Sequence, residues 1–414
     1  MLGNNEYLTA IEIGTHQIKA CMGSMNKGSL SIVGYIETPT AGHVRKGEII
    51  NFNTTLELIT DTLNKLENST GKTISNVYLG VTGNHFSSTN ASGTVPILTK
   101  DRVITEQDII VATKNARDWR LPQDQALVTS YQRSFIIDET HRVSKPEGRI
   151  GNQLCAEIHM IYGDSNRLET LLRFMVTVLG EQVTDVVFSG IASFYGLDHQ
   201  ESAKNGILVL DIGAGVTEYV LFYDDGCMHS GQITVGCQHL INDLAIGLKV
   251  KYKTAKDILE QHGNAVVDSD SALGQINAVS NEGEKIVIPE ANIHKIIELR
   301  LQELFEIIRE ELDLADIRSL MGDGIIITGG GAKIEDIDTL ASSVFKAPCK
   351  IGLPLELEGM TDDMKDPSKT TIVGLLIVGY QLRLMESLNS QSISKVVKDE
   401  FKHLVGLVGK AIKF

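Results

Sequence analysis

Along the first forty residues, apolar positions alternate with polar ones at strand spacing. YLTAIEIGTHQIKACMGSM reads as two short strands around a Gly-Thr turn, and LSIVGYIETPT supplies a third. At 54–66, TTLELITDTLNKL, the spacing changes to that of a helix, and VYLGVTG at 77–83 is a continuous apolar run that suits a buried strand ending in glycine. Residues 84–162 have another texture: a polar Ser/Thr/Asn opening, a helix from Thr105 capped with Asp108 three residues on, strands at 128–137 and 155–162, and a Pro/Gly loop at 144–152. This reads as a small module inserted into the surrounding alternation of sheet and helix.

Beyond it, the pattern predicts a helix at 166–179, a strand at 184–188 and a helix from Ile191. A second strand pair follows around a glycine-rich turn, GILVLDIGAGVTEYVLFYDDG at 206–226. An α-rich section runs from about 250 to 320 and ends in a long helix at 291–312. GIIITGGGAKIEDIDTL at 324–340 then returns to strand, glycine turn and helix. A strongly apolar helix at 370–384 closes the body, and ESLNSQSIS at 386–394 is a polar linker.

Set side by side, AIEIGTHQIK and VLDIGAGVTE show that the chain repeats itself at long range: a hydrophobic strand, an acid, Ile-Gly and a polar turn. Glycine lets the main chain approach a ligand closely. A phosphate chain between two such turns would therefore receive N–H groups from both sides, while Glu12 and Asp211 could hold a hydrated Mg²⁺. Each turn alone is more often just an ordinary hairpin corner; the pair, with Thr328-Gly329-Gly330-Gly331 as a third glycine turn at a strand end, suggests one clamp. The Walker, dinucleotide, zincin and hydrolase-elbow signatures are missing from the sequence.

Composition narrows the class. The 414 residues, 42% hydrophobic, suffice for more than one domain, and five scattered cysteines with no apolar N-terminal signal segment point to a reducing cytosol. A formal net charge of -15 argues against nucleic acid as a partner. The last twenty residues depart from that balance: five lysines against Asp399 and Glu400 give +3, so residues 1–394 carry -18. At about 100° per residue, Val397, Phe401, Leu404, Val405, Val408 and Ile412 fall in one arc roughly 120° wide. Lys398, Lys402, Lys410 and Lys413 lie opposite, the pattern of a helix in an anionic membrane interface. Packing of this helix on the body or on a second subunit is the alternative.

The two acidic-Ile-Gly hairpins and the late Gly-Gly-Gly turn, in that order and spacing, resemble the phosphate-1, phosphate-2 and adenosine motifs of the actin-like ATPases. With the insertion, the segment VGCQHLINDLAIGL at 235–248 and the basic amphipathic C-terminus, the chain is similar over essentially its whole length to the FtsA family of bacterial cell-division proteins. The resemblance implies an α/β fold of two duplicated sheet-and-helix halves around a nucleotide cleft, with a 1C-type inserted subdomain. Subdomain 1A would occupy 1–83, 163–205 and 368–385, 1C 84–162, 2A 206–249 and 321–367, and 2B 250–320, followed by a linker at 386–394 and the amphipathic helix at 395–414. By motif, Gly14, Thr15, His16 and Lys19 would meet the phosphates of ATP and Asp211, Gly213, Ala214, Gly215 and Thr217 would form the opposing turn. Glu12 and Asp211 would orient Mg²⁺ and water, and Gly329, Gly330 and Gly331 would back the adenosine. Glu12 stands where actin-like proteins more often have Asp, and Ala214 where actin has a second acid, which implies at most weak hydrolysis.

The resemblance further implies filaments on the cytoplasmic face of the bacterial inner membrane, recruitment of other division proteins, and capture of the FtsZ C-terminal tail by 2B, where Lys295 and Arg300 would meet acidic groups. A sugar or small-molecule kinase of the same fold and a pilus-assembly adaptor are the alternatives.

Overall fold

The computed structural model describes residues 6–26, 29–180, 183–198, 202–267 and 274–388, the side chains of 385–388 excepted. The linker and amphipathic helix expected at 386–414 thus lie almost wholly outside the described residues. In the first half, β1 (Glu6–Ile13), β2 (Gln17–Asn26) and β3 (Ser29–Pro39) form an antiparallel meander. A short hairpin, β4 (Val44–Arg45) and β5 (Glu48–Ile49), leads to α1 (Phe52–Thr70) and β6 (Val77–Val81). The Asn51 side chain accepts from the Thr54 N–H at the start of α1, and Gly71 ends the helix in a left-handed conformation. These caps extend the helix beyond its apolar stripe at 54–66.

The inserted segment holds β7 (Phe86–Pro96), α2 (Glu106–Arg117), β8 (Gln125–Ile137), β9 (His141–Val143) and β10 (Gln153–Asp164), with sheet order β7-β10-β8-β9. Thr105 caps α2 with a reciprocal Asp108 bond, as the sequence signal predicts. Strand β7 corrects the reading of 84–96 as a mere polar opening: FSSTNASGTVP pairs in full register with β10, so its backbone bonds rather than apolar burial make it a strand. Next come α3 (Ser165–Leu179), β11 (Val183–Phe188), α4 (Ser189–Tyr195) and α5 (Ser202–Asn205).

The second half opens with β12 (Ile207–Ile212), β13 (Thr217–Tyr223) and β14 (Gly226–Ile233), then α6 (Cys237–Gly247) and α7 (Tyr252–His262). A two-stranded hairpin, β15 (Gln275–Val279) and β16 (Lys285–Pro289), interrupts the section expected to be helical, before α8 (Glu290–Leu314). The half finishes with β17 (Ile325–Thr328), α9 (Ile337–Phe345) and β18 (Cys349–Ile351). Finally α10 (Thr370–Leu388) crosses back to pack on α4 and β1. It comes so close that a Cβ on Gly374 would run into the Ala192 carbonyl.

The duplication read from the two motifs is now explicit in the sheets. One has the order β11-β6-β1-β2-β3 and the other β18-β17-β12-β13-β14, each an antiparallel meander extended by parallel strands beside its first member. Strand β12 is buried on both faces: Leu208, Leu210 and Ile212 join the core under α6–α9, whereas Ile207 and Val209 join the core that includes α1, α3 and α10. No helix among the described residues is long and apolar enough to cross a membrane.

Candidate functional site

Both meanders turn their first hairpin toward a common cleft of about 1450 Å³ between the halves. The two turns close in the same way: the Gly14 N–H donates to the Gln17 carbonyl at 2.9 Å, and the Gly213 N–H to the Val216 carbonyl at 2.9 Å. They also touch. A Cβ on Gly215 would lie 2.6 Å from Thr15 Oγ1, so only glycine lets the second turn meet the first.

Register then decides the chemistry. Glu12 stands opposite Lys19 on β1–β2, and the Lys19 ammonium donates to Glu12 Oε1 and Oε2 at 2.9 and 3.1 Å and to the Ser368 carbonyl at 2.6 Å. Burial raises the Glu12 carboxyl above its ordinary value while Lys19 opposes the rise. At the matching positions of β12–β13, Asp211 stands opposite Glu218, two acids side by side. Asp211 Oδ2 accepts from Thr371 Oγ1 at 2.6 Å and from Ser193 Oγ. Glu218 is only 5% exposed; burial first, then the fields of Asp211 and Glu12, push its carboxyl up to about 8, and Thr82 Oγ1 donates to its Oε1.

Not all the residues singled out in the sequence reach the cleft. From the first hairpin, Glu12, Gly14, Thr15, His16 and Lys19 line it. Thr40 and Gly47 fix Thr15: the Thr40 hydroxyl donates to its carbonyl at 2.6 Å and the Gly47 N–H to its Oγ1 at 3.0 Å. His16 sits exposed at the rim, where desolvation by the cleft walls and the Lys256 ammonium hold its imidazole below the ordinary value. From the second hairpin, Asp211, Gly213, Ala214 and Gly215 line the cleft, but Thr217 is fully buried with its hydroxyl donating to the Val235 carbonyl at 2.8 Å.

Helix α6 is pinned behind that turn, because the N–H groups of Cys237 and Gln238 donate to the carbonyls of Gly213 and Ala214 at 3.1 and 2.8 Å. A Cβ at Gly236 would lie 2.5 Å from the Gly213 carbonyl oxygen. At the third turn Gly329 and Gly330 face the cleft, and a Cβ on Gly330 would project into open space, leaving a flat backbone surface. Gly331 packs on Ile212 instead.

Lys295 and Arg300 do not line the cleft: Lys295 on α8 pairs with Glu298 at 2.6 Å, and Arg300 pairs with Asp243 of α6 at 2.6 Å and with Glu303. Arg300 thus ties α8 to α6.

Pattern reading passed over Thr82, Ser189, Ser193, Glu218 and Thr371. Thr82 and Ser189 follow the C-terminal ends of the parallel strands β6 and β11, the edge at which open α/β sheets bind ligands. Glu218 had a sequence signal, since it lies seven residues after Asp211, as Lys19 does after Glu12.

Among the described residues no group of three or more His, Cys, Asp or Glu is arranged to hold a metal ion directly. Glu12 and Asp211 both line the cleft, and two carboxylates fit a cation that keeps part of its own water shell, the habit of Mg²⁺. The glycine-lined turns and the flat Gly330 surface fit the remainder of a nucleotide.

Two halves of equal topology with paired turns over one cleft define an actin-like protein, and solved structures agree. The chain is similar to the PilM–PilN type IV pilus biogenesis complex, with a TM-score of 0.64 and 17% identity over 90% of this chain and 98% of that one. It is also similar to MreB5 of Spiroplasma citri bound to ADP, with a TM-score of 0.56 and 14% identity over 93% and 99%. These likenesses show the fold. The family model described as cell division protein FtsA matches residues 208–374, and that of the SHS2 domain inserted in FtsA matches 83–162. Curated relatives named cell division protein FtsA include that of Pseudomonas aeruginosa, 27% identical over 402 residues, 96% of this chain and 95% of the relative. That of Escherichia coli K12 is 26% identical over 392 residues, 92% of each. The chain belongs to the FtsA family of cell-division proteins.

Proposed function

We propose that this chain binds ATP with Mg²⁺ between the two turns and serves cell division as an assembling adaptor: it polymerises on the cytoplasmic face of the bacterial inner membrane at the division site, anchors the tubulin-like FtsZ and recruits later division proteins. The observation that carries the nucleotide part is the pair of identically closed turns in contact across one cleft. MreB5 of Spiroplasma citri, a protein of the same fold, has been solved with ADP and with AMPPNP. In this reading the subdomains are those expected from the sequence, with 1A at 1–83, 163–205 and 368–385, 1C at 84–162, 2A at 206–249 and 321–367, and 2B at 250–320.

Within the cleft, bound Mg²⁺ supplies charge neutralisation for the phosphates. The chain does the rest with its own groups. Main-chain N–H groups around Gly14–His16 and Gly213–Gly215 donate to phosphate oxygens, and Lys19 places its ammonium beside Glu12. Glu12 and Asp211 accept from the cation's waters, and Gly329 and Gly330 offer backbone to the adenosine. With Ala214 bearing no carboxylate at the turn, hydrolysis is weak and the nucleotide acts chiefly on conformation and assembly.

The 395–414 segment would fold onto anionic lipid. One tail binds modestly because ordering it offsets part of the lysine attraction, while many tails on a filament bind together. Capture of the FtsZ tail on α8 requires Lys295 and Arg300 to exchange their internal carboxylates for those of the partner. Flotation with anionic liposomes in ATP and Mg²⁺, full chain against a truncation after Glu386, tests the reading: the full chain should float as a filament coat and the truncation stay behind. If both stay in solution, the membrane anchor is lost as a function.

A further inference from the structure

Between β3 and α1 the chain makes a tight hairpin whose tip carries two positive charges to the cleft. Arg45 and Glu48 pair across β4–β5, and Lys46 and Gly47 form the tip with φ of 51° and 76°, the backbone of a type I′ turn. Both phosphate turns hold this tip in place. The Gly47 N–H donates to Thr15 Oγ1 at 3.0 Å, and Lys46 Cα lies 3.1 Å from where a Cβ on Gly215 would be. A hairpin from the first half therefore touches the apex of each turn.

Its charges are sorted as well. Glu48 is drawn away into an ion pair with Arg167, which also donates to Asn84 at 2.8 Å. Among the described residues no carboxylate pairs with Arg45 or Lys46, and both residues line the cleft. Lys46 is near enough to His239, on α6 of the other half, to add to the desolvation that lowers its pKa. In a protein of net charge -15, a tip that bears two cations and rests its backbone against the apices of both turns marks a place for concentrated negative charge.

The glycine turn at 329–331 touches the base of the second hairpin, at Asp211 and Ile212, whereas the β4–β5 tip touches the apices. A nucleotide resting its adenosine on that turn directs the far end of its phosphate chain toward Arg45 and Lys46. We infer that these two residues clamp the terminal phosphate of a nucleoside triphosphate and make the cleft discriminate it from the diphosphate. The inference rests on the nucleotide reading above.

Equilibrium titration of the full chain with fluorescent ATP and ADP analogues in Mg²⁺ tests it, using the doubly neutral R45Q/K46N, whose Asn tolerates the left-handed tip, and the charge-keeping R45K/K46R. The neutral pair should lose about tenfold or more in triphosphate affinity and less than about twofold in diphosphate affinity. R45K/K46R should keep the discrimination of the unsubstituted chain. Retained diphosphate binding also reports that the variant is folded. Equal losses for both nucleotides, or none, overturn the clamp while leaving nucleotide binding intact; failure of the unsubstituted chain to bind either nucleotide overturns the nucleotide reading and the clamp with it.

Discussion

Hairpins β1–β2 and β12–β13 share a strand order, a turn-closing hydrogen bond and a place at the cleft, and differ in the residue that stands opposite their acid. Where the first sets Lys19 against Glu12, the second sets Glu218 against Asp211. In the first, opposite charges neutralise each other in a buried site. In the second, like charges face each other, which is unfavourable on neighbouring strands, and the cleft resolves the conflict by leaving Glu218 protonated up to about pH 8. The duplicated backbone thus supplies two equivalent glycine turns, while the side chain opposite each acid gives one an ammonium and the other a neutral carboxyl.

That comparison makes corresponding substitutions differ in sign. Lys19→Met should be the most damaging, costing about 3–5 kcal/mol of folding stability, because it leaves Glu12 buried with its partner gone. Denaturant unfolding of the nucleotide-free protein reads this; a loss below 1 kcal/mol would mean that the pair is not the anchor of the first hairpin. Glu218→Gln should instead stabilise the nucleotide-free protein by ~1–3 kcal/mol at pH 7.5, since it removes a buried acid held against its tendency to ionise.

The pH dependence follows from the same group. The folded state keeps the Glu218 proton up to about 8, whereas the unfolded chain gives it up near 4.5, so between those values folding binds a proton. Stability contributed by Glu218 is therefore full below pH 4.5 and is lost as pH rises toward 8. Thermal midpoints across that range should fall less for Glu218→Gln than for the unsubstituted protein; parallel curves would refute the neutral carboxyl.

A smaller effect is expected where the two turns touch. Gly215→Ala places a methyl 2.6 Å from Thr15 Oγ1 and should cost about 1–2 kcal/mol by forcing the turns apart. Triphosphate affinity should weaken with it, measured by fluorescent nucleotide titration. Thr105→Ala, in the inserted module and away from both hairpins, should cost about 1 kcal/mol through its lost cap and leave nucleotide affinity unchanged.

Much of the frame was legible in the sequence because it rests on local signals. The acid-Ile-Gly repeats marked both hairpins, and Thr105 with Asp108 marked the start of α2. What escaped depends on partners distant in sequence. FSSTNASGTVP becomes β7 only through its ladder with β10, and β15–β16 is a hairpin of two five-residue strands set between helices, where only Ile276 and Ile288 are buried. Thr217 falls within a glycine turn motif yet turns its hydroxyl to Val235, a matter of strand facing that spacing alone left open. Glu218, Ser193 and Thr371 gain their meaning from contact with Asp211 and Thr82, which are brought together only when the two halves close on each other. The basic tip VRKGEI carried its cue in the Lys-Gly turn, but its target, the apices of two other turns, is a tertiary fact.

Hydrogen exchange of the full chain, with and without ATP and Mg²⁺, distinguishes a ligand held by both turns from one held by a single turn. Amides at 13–17 and 212–216 should slow together on adding the nucleotide, with those at 329–331 following, because one ligand spans both turns. Protection confined to a single turn, or to neither, would contradict it.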